Sequence, residues 1–233
     1  MNNYRHESKF VFRLIDEKSC FKRFIDVGLP LKKHYPDRVI NNIYFDDQDF
    51  TLYSDNLSGK SKRKKLRFRW YGNNKAHNEG NLELKLKDNN LGSKIIDHNI
   101  SVNKIFDCQI SDVKNQILDQ IEDKYLWYVL KQYLNPTIFN SYKRSYFKID
   151  RNIRVTFDRL ICTKFLRGSK NISKSLQTID PSILLIEVKS DVANESILRE
   201  YLGRLGMTRT RYSKYASGLI NTYRNGVHSS FNI

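Results

Sequence analysis

The residues best suited to bind a ligand are arginines that alternate with large apolar residues. Between Leu66 and Trp70, the residues Arg67 and Arg69 alternate with Leu66, Phe68 and Trp70. Successive side chains of a β-strand point to opposite faces, so such a strand carries a cationic face and an apolar face. Arginine donates paired hydrogen bonds to phosphate and carboxylate groups. The pattern predicts a strand that packs on one side and binds an anion on the other.

Other stretches also carry charges at alternating positions. They are Glu7-Ser8-Lys9, Glu83-Leu84-Lys85 with Lys87, Arg154-Val155-Thr156-Phe157-Asp158 and Glu187-Val188-Lys189. One strand of this kind is common on the solvated side of an antiparallel sheet, where ion pairs contribute little stability. Several such strands in one chain favour a shared role for their charged faces.

Strands of this kind can close into a barrel with a charged interior if helices cover the apolar outside. We therefore predict an α+β fold with an antiparallel barrel and helices packed around it. The interior would contain Arg5, Glu7, Lys9, Arg67, Arg69, Glu83, Lys85, Lys87, Arg144, Arg154, Asp158, Glu187 and Lys189. Burying unpaired charge is costly, so this cation-rich interior predicts a polyanionic ligand such as a phosphate chain.

The acidic residues of these strands fit a divalent metal ion. Mg²⁺ or Mn²⁺ bound together with a nucleotide needs one or two protein carboxylates, because phosphates and water supply the other ligands. Glu7, Glu83, Asp158 and Glu187 are the candidates. The alternative is that the glutamates pair with neighbouring lysines on a solvated sheet face.

The composition excludes several classes of protein. The chain has 233 residues, a net charge of +16 and 39% hydrophobic residues, which suffices for a core and attracts anions. Its three cysteines form no CxxC pair, so a disulfide scaffold and a zinc site are not expected. The polar N-terminus and the short apolar runs predict neither a signal peptide nor a membrane span. We expect one cytoplasmic domain over residues 1–233.

Hydrophobic periodicity predicts the remaining elements. Strands are expected over residues 4–13, 39–46, 66–72, 82–87, 94–102, 137–149, 152–160 and 182–190. Helices are expected over residues 16–27, 112–134, 192–205 and 213–224, a short helix or turn over 47–57, and polar loops over 58–64 and 168–180. Trp70 is expected on the apolar outer face beneath a helix.

The motifs together resemble the VTC domain of vacuolar transporter chaperone polyphosphate polymerases, in the CYTH or triphosphate tunnel metalloenzyme superfamily. The stretches that carry the resemblance run in the family's order and begin at Arg5 (RHESKF), Ile43 (IYFD), Leu66 (LRFRWYG), Glu83 (ELK), Tyr142 (YKRSYF), Arg154 (RVTFD), Glu187 (EVK) and Ser213 (SKY). Each motif alone is unspecific, whereas the full series is specific.

The resemblance implies a closed eight-stranded antiparallel tunnel that binds ATP by its triphosphate. By motif match, the phosphate ligands would be Lys9, Arg67, Arg69, Lys85, Arg144, Arg154, Lys189 and Lys214, and Glu187 would be the principal ligand of a Mn²⁺ or Mg²⁺ ion. Further substrate-binding candidates are Arg5, Lys87, Lys94, Tyr142 and Ser213. Arg5 departs from the wider CYTH pattern of two glutamates before the lysine, which favours the polymerase branch over hydrolases. The sequence shows neither the SPX domain nor the membrane helices of eukaryotic members, so we expect the isolated domain found in bacteria.

The resemblance and the charges together predict a phosphotransferase that adds the γ-phosphate of ATP to a growing inorganic polyphosphate chain. The attacking phosphate oxygen is already ionised at neutral pH, so no Ser, His or Cys base is required. Two alternatives stay open: a triphosphatase of the same fold, and a non-catalytic binder of polyphosphate or another polyanion. Nucleic acid is not the expected partner, because the basic residues alternate with apolar ones on strands.

Overall fold

The computed structural model describes residues 5–13, 17–73, 76–89, 91–149, 153–172, 177–178, 181–191, 194–206 and 208–224. Within them the strands are β1 (Arg5–Arg13), β2 (Lys32–Asp46), β3 (Lys62–Tyr71), β4 (His77–Asp88), β5 (Leu91–Asn103), β6 (Asn135–Ile149), β7 (Ile153–Phe165), β8 (Gln177–Thr178) and β9 (Ile183–Asp191). The helices are α1 (Glu17–Asp26), α2 (Thr51–Leu57), α3 (Ile110–Leu118), α4 (Lys124–Tyr133), α5 (Glu195–Arg204) and α6 (Lys214–Arg224). None of these described helices is both long and apolar enough to cross a lipid bilayer.

The strands form one sheet in the order β1-β9-β7-β6-β2-β3-β4-β5, and the short β8 pairs with β7. The α+β class and the eight-stranded antiparallel sheet are confirmed. The hydrogen-bonded path ends at β1 and β5, and no pairing joins these two strands in the described part of the chain. The predicted closed barrel is therefore not supported. Alternating residues define the two faces of a strand, but they do not specify whether the two edge strands of a sheet pair with each other.

In β3, the apolar side chains are buried and the charged side chains between them are accessible. Leu66, Phe68 and Trp70 are buried, whereas Arg67 and Arg69 are partly accessible on the opposite face. Burying large apolar side chains against the helices stabilises the strand and fixes which face the charges occupy. The faces predicted for this strand are confirmed.

Gly80 marks an irregularity in β4 beside β3. The register between β4 and β5 shifts between Gly80 and Leu82, which is the mark of a β-bulge. A Cβ atom at Gly80 would overlap the carbonyl oxygen of Arg69 and would lie 2.8 Å from the Cζ atom of Phe68. Only glycine allows the two backbones to approach this closely.

The tertiary contacts divide the chain into two compact units. Unit 1 comprises Met1–Arg38, Tyr142–Ile161 and Asp180–Tyr212, and unit 2 comprises Val39–Ser141, Cys162–Ile179 and Ser213–Ile233. In the core of unit 1, Phe10 of β1, Phe157 of β7 and Ile186 of β9 pack with Phe24 of α1 and Leu202 of α5. The single domain expected over residues 1–233 stays a prediction.

The core of unit 2 joins the apolar faces of β3, β4 and β5 to α3 and α4. Trp70 is fully buried there, and its ring centroid lies 5.6 Å from that of Phe68 and 5.8 Å from that of Phe139. Val113 of α3 and Leu126 of α4 belong to the same buried cluster. The predicted place of Trp70 in the core beneath helices is confirmed.

The helix predicted over residues 112–134 is wrong as one element, because it is divided into α3 and α4. The Asp123 side chain accepts hydrogen bonds from the backbone N–H groups of Tyr125 and Leu126 and so begins α4. The buried Asp97 carboxylate accepts the N–H groups of Glu122 and Asp123 at 2.7 and 3.0 Å. Helical periodicity continues across the break. The hydrogen bonds that the break makes with Asp97 involve the distant strand β5, so the local pattern could not predict them.

Several predicted bounds also need correction. β3 begins at Lys62, within the loop predicted over residues 58–64, and β4 begins at His77, five residues before the predicted start at residue 82. β2 begins at Lys32, seven residues before the predicted start at residue 39, and β7 continues to Phe165. β8 lies within the segment predicted as a loop over residues 168–180. The first half of β2 is largely exposed and shows no apolar alternation, so periodicity could not reveal it.

Candidate phosphate-binding and metal-binding residues

In unit 1, the predicted E-x-K motifs of β1 and β9 face each other. The antiparallel register places Glu7 opposite Lys189 and Lys9 opposite Glu187. The Lys9 Nζ atom lies 3.1 Å from Glu7 Oε1 and 3.7 Å from Glu187 Oε1. The Lys189 Nζ atom lies 3.3 Å from Glu7 Oε2 and 3.7 Å from Glu187 Oε2. The two carboxylates therefore share two ammonium groups.

Arg144 of β6 extends this cluster toward β7. Its Nε and Nη2 atoms donate to the two carboxylate oxygens of Asp158 at 2.5 and 2.6 Å, and its Nη2 lies 3.5 Å from Glu187 Oε2. The guanidinium group also stands 5.3 Å from the ring centroid of Tyr142. Burial alone would lower the pKa of Arg144, but Asp158, Tyr142 and Glu187 raise it instead. Arg144 is therefore a permanent cation held in a fixed orientation.

Arg154 and Arg5 complete the predicted residues of unit 1. Arg154 is exposed on β7, where it is the register partner of Lys189. The backbone of Arg5 pairs with Asp191 at the start of β1, whereas the Arg5 side chain lies outside the described part of the chain.

In unit 2, the charged faces of β3, β4 and β5 converge on Glu83. Arg67 donates from Nε to Glu83 Oε2 at 2.7 Å, and its Nη2 lies 2.5 Å from the same oxygen. Lys94 donates to Glu83 Oε1 at 2.9 Å. Burial alone would raise the pKa of Glu83, but Arg67, Arg69 and Lys94 lower it to about 2. Both of its carboxylate oxygens are thus in contact with cations.

Beside this pair, three lysines lie next to one another across the sheet. Lys65 of β3 is the register partner of Lys85 of β4, and Lys85 is the partner of Lys94 of β5. Like charges opposite each other destabilise a sheet, and a bound anion would relieve that repulsion. Lys87 follows on β4, where it is exposed at the end of the strand.

Arg69 is positioned by amide groups that the sequence analysis did not identify. Its Nε donates to Asn42 Oδ1 at 2.9 Å, and Asn42 Nδ2 donates to Asn140 Oδ1 at 2.9 Å. Asn42 and Asn140 are both fully buried. The Asn140 Nδ2 atom has no hydrogen-bond partner among the described residues. A strand-parity reading of β2 and β6 could have found both amides, because they occupy the charged faces of their strands.

The segment that begins α6 brings Ser213 and Lys214 to unit 2. Lys214 is buried at 8% exposure, and Lys65 Nζ donates to Ser213 Oγ at 3.4 Å. Tyr44 of β2 is buried beside them and was also missed by the sequence analysis. Burial alone would raise its pKa, but Arg67, Arg69 and Lys214 lower it to about 8.

A family model described as the VTC domain matches residues 4–223. The chain belongs to the VTC domain family. This match confirms the family identified from the sequence motifs. No curated protein matches the chain.

One solved structure with a TM-score above 0.5 supports the fold of this VTC domain, and two others are similar to it at lower TM-scores. A candidate adenylate cyclase from Vibrio parahaemolyticus aligns with a TM-score of 0.52 at 10% identity, covering 93% of this chain and 98% of that one. A protein from Pyrococcus horikoshii aligns with a TM-score of 0.47 at 13% identity, covering 94% and 98% of the two chains. A candidate adenylyl cyclase from Hippeastrum with a dominant triphosphatase activity gives 0.49 at 14% identity, covering 92% and 96%.

The four predicted metal ligands of the VTC domain differ in their surroundings. The described residues contain no group of three or more His, Cys, Asp or Glu side chains placed to hold a metal ion by themselves. Asp158 binds Arg144 with both oxygens, and Glu83 contacts Arg67 and Lys94. These two carboxylates are occupied by strong charge-assisted hydrogen bonds.

Glu7 and Glu187 fit a metal that arrives with a phosphate ligand. The contacts of Glu187 with Lys9, Arg144 and Lys189 measure 3.5 to 3.7 Å, which is longer than a strong hydrogen bond. Burial alone would raise the pKa of Glu7, but Lys189 and Lys9 lower it to about 2, so the carboxylate is ionised at neutral pH. One or two carboxylates suffice when phosphate oxygens and water complete the coordination.

Proposed function

We propose that this VTC domain is a polyphosphate polymerase that transfers the γ-phosphate of ATP to the end of a growing polyphosphate chain. Family membership supports a triphosphate-related function for the chain. The observation that carries the proposal is the row of Lys65, Lys85 and Lys94 beside Arg67 and Arg69. Cations stand opposite one another there, and the negative charges of a phosphate chain would offset their mutual repulsion.

The proposed reaction needs no general base. An ionised terminal oxygen of polyphosphate forms a bond to the γ-phosphorus of ATP, the bond between that phosphorus and the β,γ-bridging oxygen breaks, and ADP leaves with the electron pair. Arg67, Arg69 and Lys214 would hold phosphate oxygens in line and stabilise their charge in the transition state. Motif positions assign the same role in unit 1 to four residues: Lys9, Arg144, Arg154 and Lys189.

The metal-dependent part of the proposal concerns Glu187 and Glu7. These two carboxylates would hold Mg²⁺ or Mn²⁺, which when bound neutralises phosphate charge and orients the transferring group. Lys189 and Lys9 lower the pKa of Glu7 and so keep its carboxylate ionised and able to bind a cation.

The test is to incubate the protein with ATP and Mn²⁺ and to resolve the products on a gel stained for polyphosphate. We expect long polymer together with ADP. Stoichiometric inorganic phosphate and ADP without polymer would contradict the polymerase and support the triphosphatase. Salt-sensitive ATP binding without turnover in Mn²⁺ or Mg²⁺ would support the non-catalytic binder.

A variant pair tests whether the charged strand face binds the nucleotide. Arg69→Ala should weaken ATP binding by about tenfold to a hundredfold, because one charge-assisted contact is worth about 1.5 to 3 kcal/mol. Arg204→Ala on α5 is the control, since it removes the same charge from a side chain that is 60% exposed. Equal affinities for ATP in the two variants would argue against a phosphate contact at Arg69.

A further inference from the structure

Tyr44 lies among the cations of unit 2 without having an assigned role. Its Cα atom pairs with that of Arg67 across β2 and β3, and its side chain is buried. The Arg67 guanidinium donates a hydrogen bond to the Tyr44 hydroxyl oxygen. Buried polar groups in proteins are as a rule hydrogen-bonded, and Arg67 supplies a partner for this hydroxyl group.

The Tyr44 ring is fixed from its other side. It stacks on the ring of Tyr215 with 5.2 Å between centroids and 17° between planes. The Tyr215 hydroxyl donates to the fully buried Asp46, which also accepts the backbone N–H groups of Leu52 and Tyr53 at 2.9 Å. The stack therefore rests on a carboxylate that is anchored to the start of α2.

Charged groups reach Tyr44 from two elements. Arg67 and Arg69 belong to β3, and Lys214 belongs to α6. The cluster that contains Tyr44 also includes the titratable Tyr215 of α6 and the apolar Ile138 and Leu219, and the titratable Tyr53 of α2 packs against it with Phe50 and Phe165. The Tyr215 hydroxyl donates to the Asp46 carboxylate. The Tyr44 hydroxyl thus faces cations that the proposed function assigns to phosphate.

We propose that Tyr44 couples phosphate binding to proton uptake, acting as a positioning residue that accepts a hydrogen bond from Arg67 when ligand is absent and donates a hydrogen bond from its hydroxyl group when phosphate is present. The proposal rests on the phosphate site of the proposed function. In the ligand-free site, the three cations lower the pKa of Tyr44 to about 8, so the phenolate is populated near and above that pH and accepts a hydrogen bond from Arg67. A bound polyanion neutralises these cations and repels the phenolate, so the phenol becomes the stable form and takes its proton from solvent.

The sign of the effect follows from the pKa of Tyr44, which the cations lower to about 8. At pH values near and above 8, phosphate binding should consume a proton at Tyr44, because part of the phenolate is converted to phenol. Well below pH 8, the phenol is already protonated and binding should consume none at this residue. Affinity should therefore fall more steeply with rising pH in the wild type than in a protein without the hydroxyl group.

The experiment uses inorganic tripolyphosphate as the probe and calorimetry in two buffers of different protonation enthalpy. Tyr44→Phe keeps the stacked ring and removes the hydroxyl, and Tyr53→Phe is the control because it removes a hydroxyl from the same cluster. We expect the wild type and Tyr53→Phe to take up more protons near pH 8 than Tyr44→Phe. We also expect Tyr44→Phe to bind the probe about threefold to tenfold more weakly at neutral pH.

A second measurement follows the ionisation of tyrosine directly. Tyrosinate absorbance of the wild type at a pH slightly above 8 should decrease when tripolyphosphate is added, and the decrease should be lost in Tyr44→Phe. Equal proton uptake by all three proteins, or an absorbance that does not respond to the probe, would overturn the role of Tyr44. Absence of any tripolyphosphate binding by the wild type would instead overturn the phosphate site, and with it the proposed function.

Discussion

The charged faces of unit 1 and unit 2 come from the same sequence pattern but differ in their balance of charge. In unit 1, the carboxylates Glu7, Asp158 and Glu187 alternate in space with cations, and Glu7 and Glu187 each contact Lys9 and Lys189. In unit 2, Glu83 lies between Arg67 and Lys94 and contacts both. The first arrangement suits a metal ion and the second a chain of phosphates.

This difference shows what an E-x-K motif leaves undetermined. The motif fixes that glutamate and lysine share one strand face, whereas the partners across the sheet decide what the glutamate does. Glu187 meets Lys9 from β1, and Glu83 meets Arg67 from β3 and Lys94 from β5. Glu83 accepts close charge-assisted hydrogen bonds from Arg67 and Lys94, whereas the contacts of Glu187 with Lys9, Arg144 and Lys189 measure 3.5 to 3.7 Å.

The largest expected effect concerns the buried ion pair of unit 1. Asp158→Asn should lower the free energy of unfolding by about 3 to 5 kcal/mol, because it leaves the buried Arg144 charge uncompensated. Urea unfolding measures the change. Asp88→Asn is the control, since its contact with Lys62 is an exposed pair 4.0 Å long and should contribute below about 1 kcal/mol. Similar decreases in the free energy of unfolding of both variants would show that the buried Arg144–Asp158 pair contributes no more stability than an exposed pair.

The next effect separates the two proposed roles of glutamate. Glu187→Gln should weaken the Mn²⁺-dependent part of ATP binding by about tenfold or more, because it removes an anionic metal ligand and keeps the side-chain shape. Calorimetry with and without Mn²⁺ isolates that part. Binding of tripolyphosphate without metal should not weaken. If metal dependence were unchanged in Glu187→Gln, the metal assignment in unit 1 would be wrong.

Glu83→Gln should act in the opposite direction. The substitution releases Arg67 and Lys94 from a carboxylate, so metal-free tripolyphosphate should bind about threefold to tenfold more tightly. The metal dependence of ATP binding should stay as in the wild type. The measurement is the same calorimetry, with circular dichroism melting to confirm that the variant is folded. Weaker tripolyphosphate binding by a folded variant would argue that Glu83 supports the ligand.

The smallest effect is visible only in acid. The pKa values of Glu7 and Glu83 lie at about 2 in the folded protein, below the ordinary value of 4.5. The stability they contribute is therefore complete above about pH 4.5 and is lost as the pH falls toward 2. Urea unfolding at several pH values should show a shallower decline in Glu83→Gln than in the wild type. Parallel declines in the two proteins would contradict the role given to Arg67 and Lys94.

The sequence predicted the faces of the strands well because burial imposes a period of two. The alternation of Leu66, Phe68 and Trp70 with Arg67 and Arg69 is reproduced by their burial in β3. The break between α3 and α4 could not be predicted in this way. It depends on Asp97, a buried side chain of β5 that accepts hydrogen bonds from residues more than twenty positions later.

The sequence identified the charged residues of the candidate site more readily than the neutral ones. Arg69 stands out in the sequence, but Asn42 and Asn140, which orient it, resemble ordinary polar strand residues. Tyr44 belongs to a recognised motif, yet its burial among cations depends on the pairing of β2 with β3 and on α6. Such roles follow from contacts between distant parts of the chain.

The bulge at Gly80 sets a limit on how this protein could be redesigned. A library that randomises β4 should return glycine almost alone at this position, because the carbonyl of Arg69 and the ring of Phe68 leave no volume for a side chain. At Gly92, the nearest atom to an added Cβ is the carbonyl oxygen of Leu86 at 3.9 Å, so alanine and serine should survive selection there. A redesign of the cationic strand β3 would therefore vary the side chains of β3 and keep Gly80 in the neighbouring strand β4.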